Sequence, residues 1–305
     1  MTTMKRIQSY ILSGILAITA ISPLPSYCQD FIEIDPLFEY PMAPEELEGL
    51  TAKSNYLMEH FWDPMDFKNK TAVDQNALND AMNVFSAPLR WADKSKADAA
   101  LDKLIDKISK NPTLLLQFTK AAEETMYSPR AEVWIDDVYI KFLNAFVKNK
   151  KMTPNRKERY QSQLTTLENT RIGNTPPVFT FTGREGKQET YMPMSTMTLI
   201  IFGNPYNTDW RLARLKLETN LQLSQAIDQG KLNILYLVPF EDSNWESQVN
   251  NYPDKWTVGN APEAGKLYDL RLTPSLYLIG NDGKIIMKNN TLDTTIKEIF
   301  QQLEK

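Results

Sequence analysis

The sequence holds one cysteine, Cys28, and one histidine, His60, in 305 residues. A zinc site built from His and Cys needs three or four such ligands, so that class is excluded. Catalysis through an imidazole base is excluded unless His60 supplies it. Clustered basic charge is absent: 34 Lys and Arg are interspersed with 38 Asp and Glu, for a net charge of −4. A nucleic-acid surface needs a basic patch, so none is expected. Lys148 to Lys151 is a short basic run that reads as a solvated helix end. Long apolar runs are also missing. Ile11 to Ile21 is interrupted by Ser13, Gly14 and Thr19, too short for a stable transmembrane anchor. There is no internal repeat and no low-complexity tract.

What is present is ordinary globular material. Apolar content of 42% is enough for packed cores, and the length predicts two domains. Lys5 and Arg6, the short apolar run and Pro23 and Pro25 precede Ser26-Tyr27-Cys28-Gln29. Residues 1–28 therefore read as a signal peptide cleaved before Gln29, with the protein delivered to the periplasm. The alternative is an outer-membrane lipoprotein anchored through Cys28, a pattern that Tyr27 fits poorly. Either way the mature chain carries no free thiol.

Residues 29–43, with Pro36 and Pro41, read as an extended surface arm. Pro44 with Glu45 and Glu46 then predicts the first turn of a helix, and a helical domain is expected over 44–171. Leu47, Leu50, Leu57, Phe61 and Trp62 form its first stripe. Asp74 is a cap for a second helix carrying Leu78, Ala81, Met82, Phe85 and Leu89. Leu101, Leu104, Ile105 and Ile108 mark a third, closed by Asn111-Pro112. Leu115, Phe118, Ala122 and Met126 mark a fourth. Trp134, Val138, Phe142 and Phe146 mark a fifth. Thr153-Pro154 opens a sixth with Tyr160, Leu164 and Leu167. Short links between amphipathic helices imply a bundle.

After Arg171 the period becomes strand-like, and an α/β domain is expected over 172–305. Val178, Phe179 and Phe181 begin it, and the chain returns through Tyr191. Thr198 to Phe202 is a buried strand. Gly203 to Asn207 breaks it, and a helix with Trp210, Leu212, Ala213, Leu215 and Leu217 follows. Leu232 to Phe240 is another buried strand. Asp242 to Gly265 is polar and broken by Pro253 and Pro262. Ser275 to Ile279 is a third central strand, Asn281-Asp282-Gly283 a hairpin turn into Ile285 to Met287, and a last helix runs from about Leu292.

Three segments together resemble the thioredoxin-like family. Asn204-Pro205-Tyr206-Asn207-Thr208-Asp209-Trp210 is similar to its active-site loop, with Asn207 and Trp210 where the Cys-x-x-Cys pair would stand. Tyr268 to Leu278 is similar to the segment bearing the family's cis-proline, here Pro274. Asn281 to Lys284 is similar to its hairpin. Upstream, Tyr56 to Asp63, Met126 to Pro129 and Tyr139 resemble an uncharacterised helical domain that precedes thioredoxin-like domains in secreted bacterial proteins. The resemblance implies a helical bundle followed by a thioredoxin-like α/β domain with a central mixed sheet.

Thiol–disulfide exchange needs a thiolate, and Asn207 and Trp210 cannot supply one. The expected function is therefore non-catalytic: a binding or scaffold protein of the cell envelope with a peptide or protein partner, no cofactor and no metal. The candidate groove is Tyr206, Asn207, Trp210, Thr273 and Pro274. Asn207 is equally suited to cap the helix, whose free N–H donors would face the cleft, and Trp210 to plug the core beneath the loop. Alternatives are an atypical enzyme of the redox class, or a helical domain that does the work while the second domain docks. His60 reads as a hydrogen-bonded rim residue. Asp63, Asp66, Glu123 and Glu124 read as solvated acids rather than a catalytic pair.

Overall fold

The helical half is written in caps and breaks. The structure, a computed structural model, describes residues 35–68 and 71–304. The proposed leader lies outside the described residues. Asp35–Lys305 form one compact unit. Six helices come first: α1 (Leu50–His60), α2 (Gln75–Ser86), α3 (Lys94–Ser109), α4 (Pro112–Met126), α5 (Asp136–Lys148) and α6 (Pro154–Asn169). The Asp74 carboxylate accepts from the Ala77 N–H at 2.8 Å and opens α2. Asn111 caps α4 ahead of Pro112, whose missing N–H costs nothing in a first turn. The buried faces follow the helical period, with Leu78, Ala81, Met82 and Phe85 on α2 and Leu115, Phe118, Ala122 and Met126 on α4. α2 packs on α4, α4 on α5, α5 on α6 and α1 on α3.

Three expectations change here. The helix expected from Pro44 starts at Leu50, because Gly49 at φ 81° turns the chain just before it. Trp134 lies ahead of α5 and donates its indole N–H to the Ser128 carbonyl at 2.9 Å. The described part of the arm is not a free surface linker. Leu37, Phe38 and Tyr40 pack on the helical core, and the Phe38 ring meets Phe61 and Trp62 edge-on, each at 5.7 Å. Aromatic side chains bury too much area to be left in solvent when a core lies alongside.

The second half is a seven-stranded mixed sheet in the order β2-β1-β5-β4-β3-β6-β7. Its strands are β1 (Phe179–Thr182), β2 (Gln188–Tyr191), β3 (Met197–Phe202), β4 (Leu232–Val238), β5 (Thr257–Asn260), β6 (Ser275–Ile279) and β7 (Ile285–Lys288). Helices α7 (Thr208–Glu218) and α8 (Leu221–Asp228) connect β3 to β4, α9 (Trp245–Gln248) is a single turn, and α10 (Leu292–Leu303) closes the chain. β3, β4 and β5 are parallel, and β6 runs antiparallel to β3. All six residues of β3 are buried, which is why it reads as an unbroken apolar run. Met197, Leu199 and Ile201 pack with Trp210, Leu217, Leu223, Ile296 and Ile299; Ile200 and Phe202 pack on the other face with Phe179, Tyr268 and Tyr277.

The linker between the halves is hydrogen-bonded to the outer edge of this sheet at Ile285. The Gly173 N–H donates to the Ile285 carbonyl at 2.7 Å, and the Ile285 N–H to the Asn174 carbonyl at 2.9 Å. Within the segment read as polar and broken, β5 adds a strand beside β4. It carries little strand signal, since Val258 is followed by Gly259. That glycine is needed because a Cβ there would run into the Phe181 ring. Gly259→Ala should therefore lose about 1–3 kcal/mol of stability through overpacking. Urea denaturation of the full chain measures it, and an unchanged midpoint would mean that the Phe181 ring moves aside freely.

Candidate functional site

The sheet register gathers the site. Phe202 lies opposite Ser275, and Leu237 lies beside Phe202 in the parallel neighbour. The loop leaving β3 (203–207), the loop entering β6 (271–274) and the segment leaving β4 therefore share one end of the sheet. The Thr273–Pro274 peptide is cis.

Asn207 is the N-cap of α7. Its Oδ1 accepts from the N–H groups of Asp209 at 2.7 Å and Trp210 at 3.3 Å, and its main-chain oxygen from Arg211 at 3.2 Å. The expected free donors are thus largely spent, because an asparagine at this position brings its own acceptor. Trp210 is 1% exposed and lies within the core rather than on a groove wall. Its ring stacks on Tyr236 at 4.4 Å and 3°, and Tyr236 stacks on Tyr252 at 4.6 Å. Gly203 admits this column, since a Cβ there would stand 2.8 Å from the Tyr236 ring and 3.2 Å from the indole. Burial pushes the Tyr236 hydroxyl well above its usual pKa. On α7 the apolar pattern only half predicts burial: Leu217 is buried, whereas Leu212 is 63% and Leu215 56% exposed.

Tyr206 is 54% exposed, yet its hydroxyl is fixed. It donates to Asp242 Oδ1 at 3.0 Å and accepts from Gln248 Nε2 at 2.7 Å and Asn244 Nδ2 at 3.4 Å. Its N–H donates to Asn204 Oδ1 at 2.9 Å. Thr273 is exposed and Pro274 half-buried. The surface of this end is therefore Tyr206, Asn207, Thr273 and Pro274, with Trp210 beneath it.

A charged cluster lies next to it, where the two halves meet. Arg271 donates through Nε to Asp269 Oδ2 at 2.8 Å and through Nη2 to Asp136 Oδ1 at 2.7 Å. Lys288 Nζ is 2.7 Å from Asp136 Oδ2. The Tyr127 hydroxyl donates to Asp269 Oδ1 at 3.3 Å, and its ring lies 4.1 Å below the Arg271 guanidinium. Asn289, at φ 51°, donates to Asp269 Oδ2 at 3.1 Å. Burial raises the Asp136 pKa, but Lys288 and Arg271 outweigh it and hold the carboxyl below its usual range. Burial raises the Tyr127 pKa, and Asp269 adds to the effect.

His60 and the four acids do not converge. His60 Nδ1 is 2.9 Å from Asp63 Oδ2, and its ring lies tilted against Tyr56 at 4.4 Å. Asp66 accepts from the Lys68 N–H at 2.9 Å. Glu123 pairs with Arg159 and accepts from Gln163 Nε2 at 2.7 Å, and Glu124 is exposed. Among the described residues no group of three or more His, Cys, Asp or Glu is placed to hold a metal ion. Among them, too, no helix is long and apolar enough to cross a membrane.

Residues 17–170 match the family described as Domain of unknown function (DUF5106). The chain belongs to that family. A thioredoxin-like protein from Bacteroides caccae shares the fold, with a TM-score of 0.72 and 22% identity over 87% of this chain and 98% of that one. That share takes in both halves. The C-terminal domain of an uncharacterized Bacteroides fragilis protein matches 43% of this chain and 99% of its own at 25% identity, with a TM-score of 0.40. The thioredoxin domain of a thiol-disulfide oxidoreductase from Bacteroides vulgatus matches 42% of this chain and 96% of its own at 16% identity, with a TM-score of 0.35. No curated protein matches the chain.

This DUF5106 protein thus joins a helical bundle to a thioredoxin-like domain. Sequence reasoning missed Asp242, Asn244 and Gln248, which fix Tyr206, and the charged cluster. Tyr127, Asp269 and Arg271 all stood in stretches singled out for their resemblance, but nothing in a single sequence pairs residues 142 apart. Trp210→Ala should lose about 3–5 kcal/mol of stability, and Asn207→Ala about 1 kcal/mol; thermal melts of both variants check the ranking. Because the Asp136 pKa is lowered by folding, its contribution is complete at neutral pH. It is lost as pH falls from the ordinary carboxylate range through the folded value. Melting temperatures of parent and Asp136→Asn should therefore converge in acid.

Proposed function

We propose that the protein is a non-catalytic, thioredoxin-like binding protein of the periplasm or outer cell envelope. It takes a peptide or protein segment at the end of the sheet formed by Tyr206, Asn207, Thr273 and Pro274. The observation that carries this reading is the state of the two positions where a thiol pair would stand. The Asn207 carboxamide oxygen is committed to the Asp209 and Trp210 amides, and Trp210 is sealed in the core. The described residues contain no cysteine, and exchange chemistry has no route without a thiolate.

What supports binding is the surface left behind. A tyrosine ring held in one orientation presents contact area without the entropy cost of ordering a free side chain. Exposed Thr273 lies at the same end of the sheet, and extended peptides are recognised through main-chain contacts with side-chain pockets alongside. Export rests on Lys5, Arg6, the short apolar run and the Ser26-Tyr27-Cys28 boundary.

Insulin reduction by dithiothreitol should proceed at the same rate with and without the protein. Acceleration would favour the redox-related enzyme, with thiols supplied by a partner. Crosslinking in envelope preparations, read by mass spectrometry, should recover partners with the parent protein and lose them with Tyr206→Ala, while circular dichroism shows that variant folded. Recovery of the same set by that variant would sink the surface reading. N-terminal sequencing should find Gln29; a lipidated Cys28 would instead mean membrane anchoring.

A further inference from the structure

Arg271 is two residues from Thr273, and what orients it comes from both halves of the molecule. Its side chain is 2% exposed. From its own half it meets Asp269, which is fixed in turn by Asn289 and by the Tyr277 hydroxyl, donating to the Asp269 main-chain oxygen at 2.6 Å. From the helical half it meets the Asp136 carboxylate, the Tyr127 ring and the Trp134 ring, the last at 5.2 Å. Its Nη1 also reaches the Tyr127 carbonyl at 3.5 Å. Asp136 is the first residue of α5, where the helix dipole favours a negative charge. It faces two cations, Arg271 and Lys288.

We propose that Asp136 is a positioning residue. Through Arg271 it lets the helical half set the conformation of the loop from Asp269 to Pro274, and so the shape of the surface beside Tyr206. Apolar contacts would join the halves without the desolvation cost of two buried and two partly buried charged groups. Directional, charge-assisted bonds to a planar guanidinium fix an angle as well as an approach. The cluster covers the start of the loop and leaves Thr273 exposed, so the helical half braces this surface and does not close over it. By linkage, whatever binds there also tightens the contact between the halves. The functional meaning of the brace rests on the binding reading above; the brace itself does not.

Limited proteolysis of the full chain by proteinase K, read by mass spectrometry, tests it without any ligand, comparing the parent with Asp136→Asn and Asp136→Lys; hydrogen–deuterium exchange reports on the hydrogen-bonded amides of β3, β4 and α4. Asp136→Lys puts a third cation against Arg271 and Lys288. Cleavage between Leu270 and Thr273 should be at least tenfold faster than in the parent. Asp136→Asn should fall between, and β3, β4 and α4 should exchange at parent rates. Parent-like cleavage of the loop in both variants would overturn the proposal. So would faster exchange of β3, β4 and α4 along with the loop cleavage, because the cluster would then contribute general stability only. If Asp136→Lys does not fold, Asp136→Asn carries the test, with unchanged loop cleavage overturning the proposal. Tyr206→Ala separates the two readings, since it should abolish partner capture and leave loop cleavage at the parent rate.

Discussion

Asp269 has a side chain with no exposed surface, and a carboxylate in that place is tolerable only if its oxygens are met on every side. Arg271, Asn289 and Tyr127 meet them. Those three come from the loop before β6, the turn after β7 and the end of α4. Asn289 accepts a left-handed backbone to reach its place, which asparagine tolerates better than most residues because its short side chain bonds locally. Across the halves, Tyr127 supplies one of these bonds and Asp136 pairs with Arg271 and Lys288; removing one partner of a buried pair costs about 3–5 kcal/mol. The bundle and the sheet domain have separate apolar cores, so the charges, rather than a shared core, fix how the halves meet.

The described residues contain no cysteine, and the head of α7 is capped and packed without one. A thiolate at the head of α7 would draw on the first amides of the helix. With Asn207 there, the same amides are satisfied by a neutral oxygen, and the helix keeps its start. The indole at 210 stacks on Tyr236 and fills the core beneath the loop. Asn207 and Trp210 therefore serve capping and packing.

Much of the fold was legible because its signals are short-range. Asp74 before α2, Asn111-Pro112 before α4 and the apolar run of β3 each act within a few residues, where a single sequence carries the information. Thr257–Asn260 was not legible, because a strand whose inner face is a glycine under Phe181 has no alternation to read. The split of α7 into buried Leu217 and exposed Leu212 and Leu215 was hidden for another reason: which leucines face the sheet depends on how the helix is laid across it. At the site, Asn207 could be read as a cap from local chemistry. Trp210 could be read as either plug or surface, and only packing against Tyr236 decides. The Arg271–Asp136 bond spans 135 residues and belongs wholly to the tertiary structure.

The passage between the halves has a consequence for handling the molecule in pieces. Gly173 and Asn174 do more than connect; their bonds to Ile285 add one more rung beyond β7. The outermost strand of a sheet offers unpaired peptide groups to any extended chain nearby, and proteins guard such borders. At Ile285 the guard is the connector itself. A fragment begun after residue 174 would bare the peptide groups of Ile285, whereas one begun at residue 171 would keep them paired.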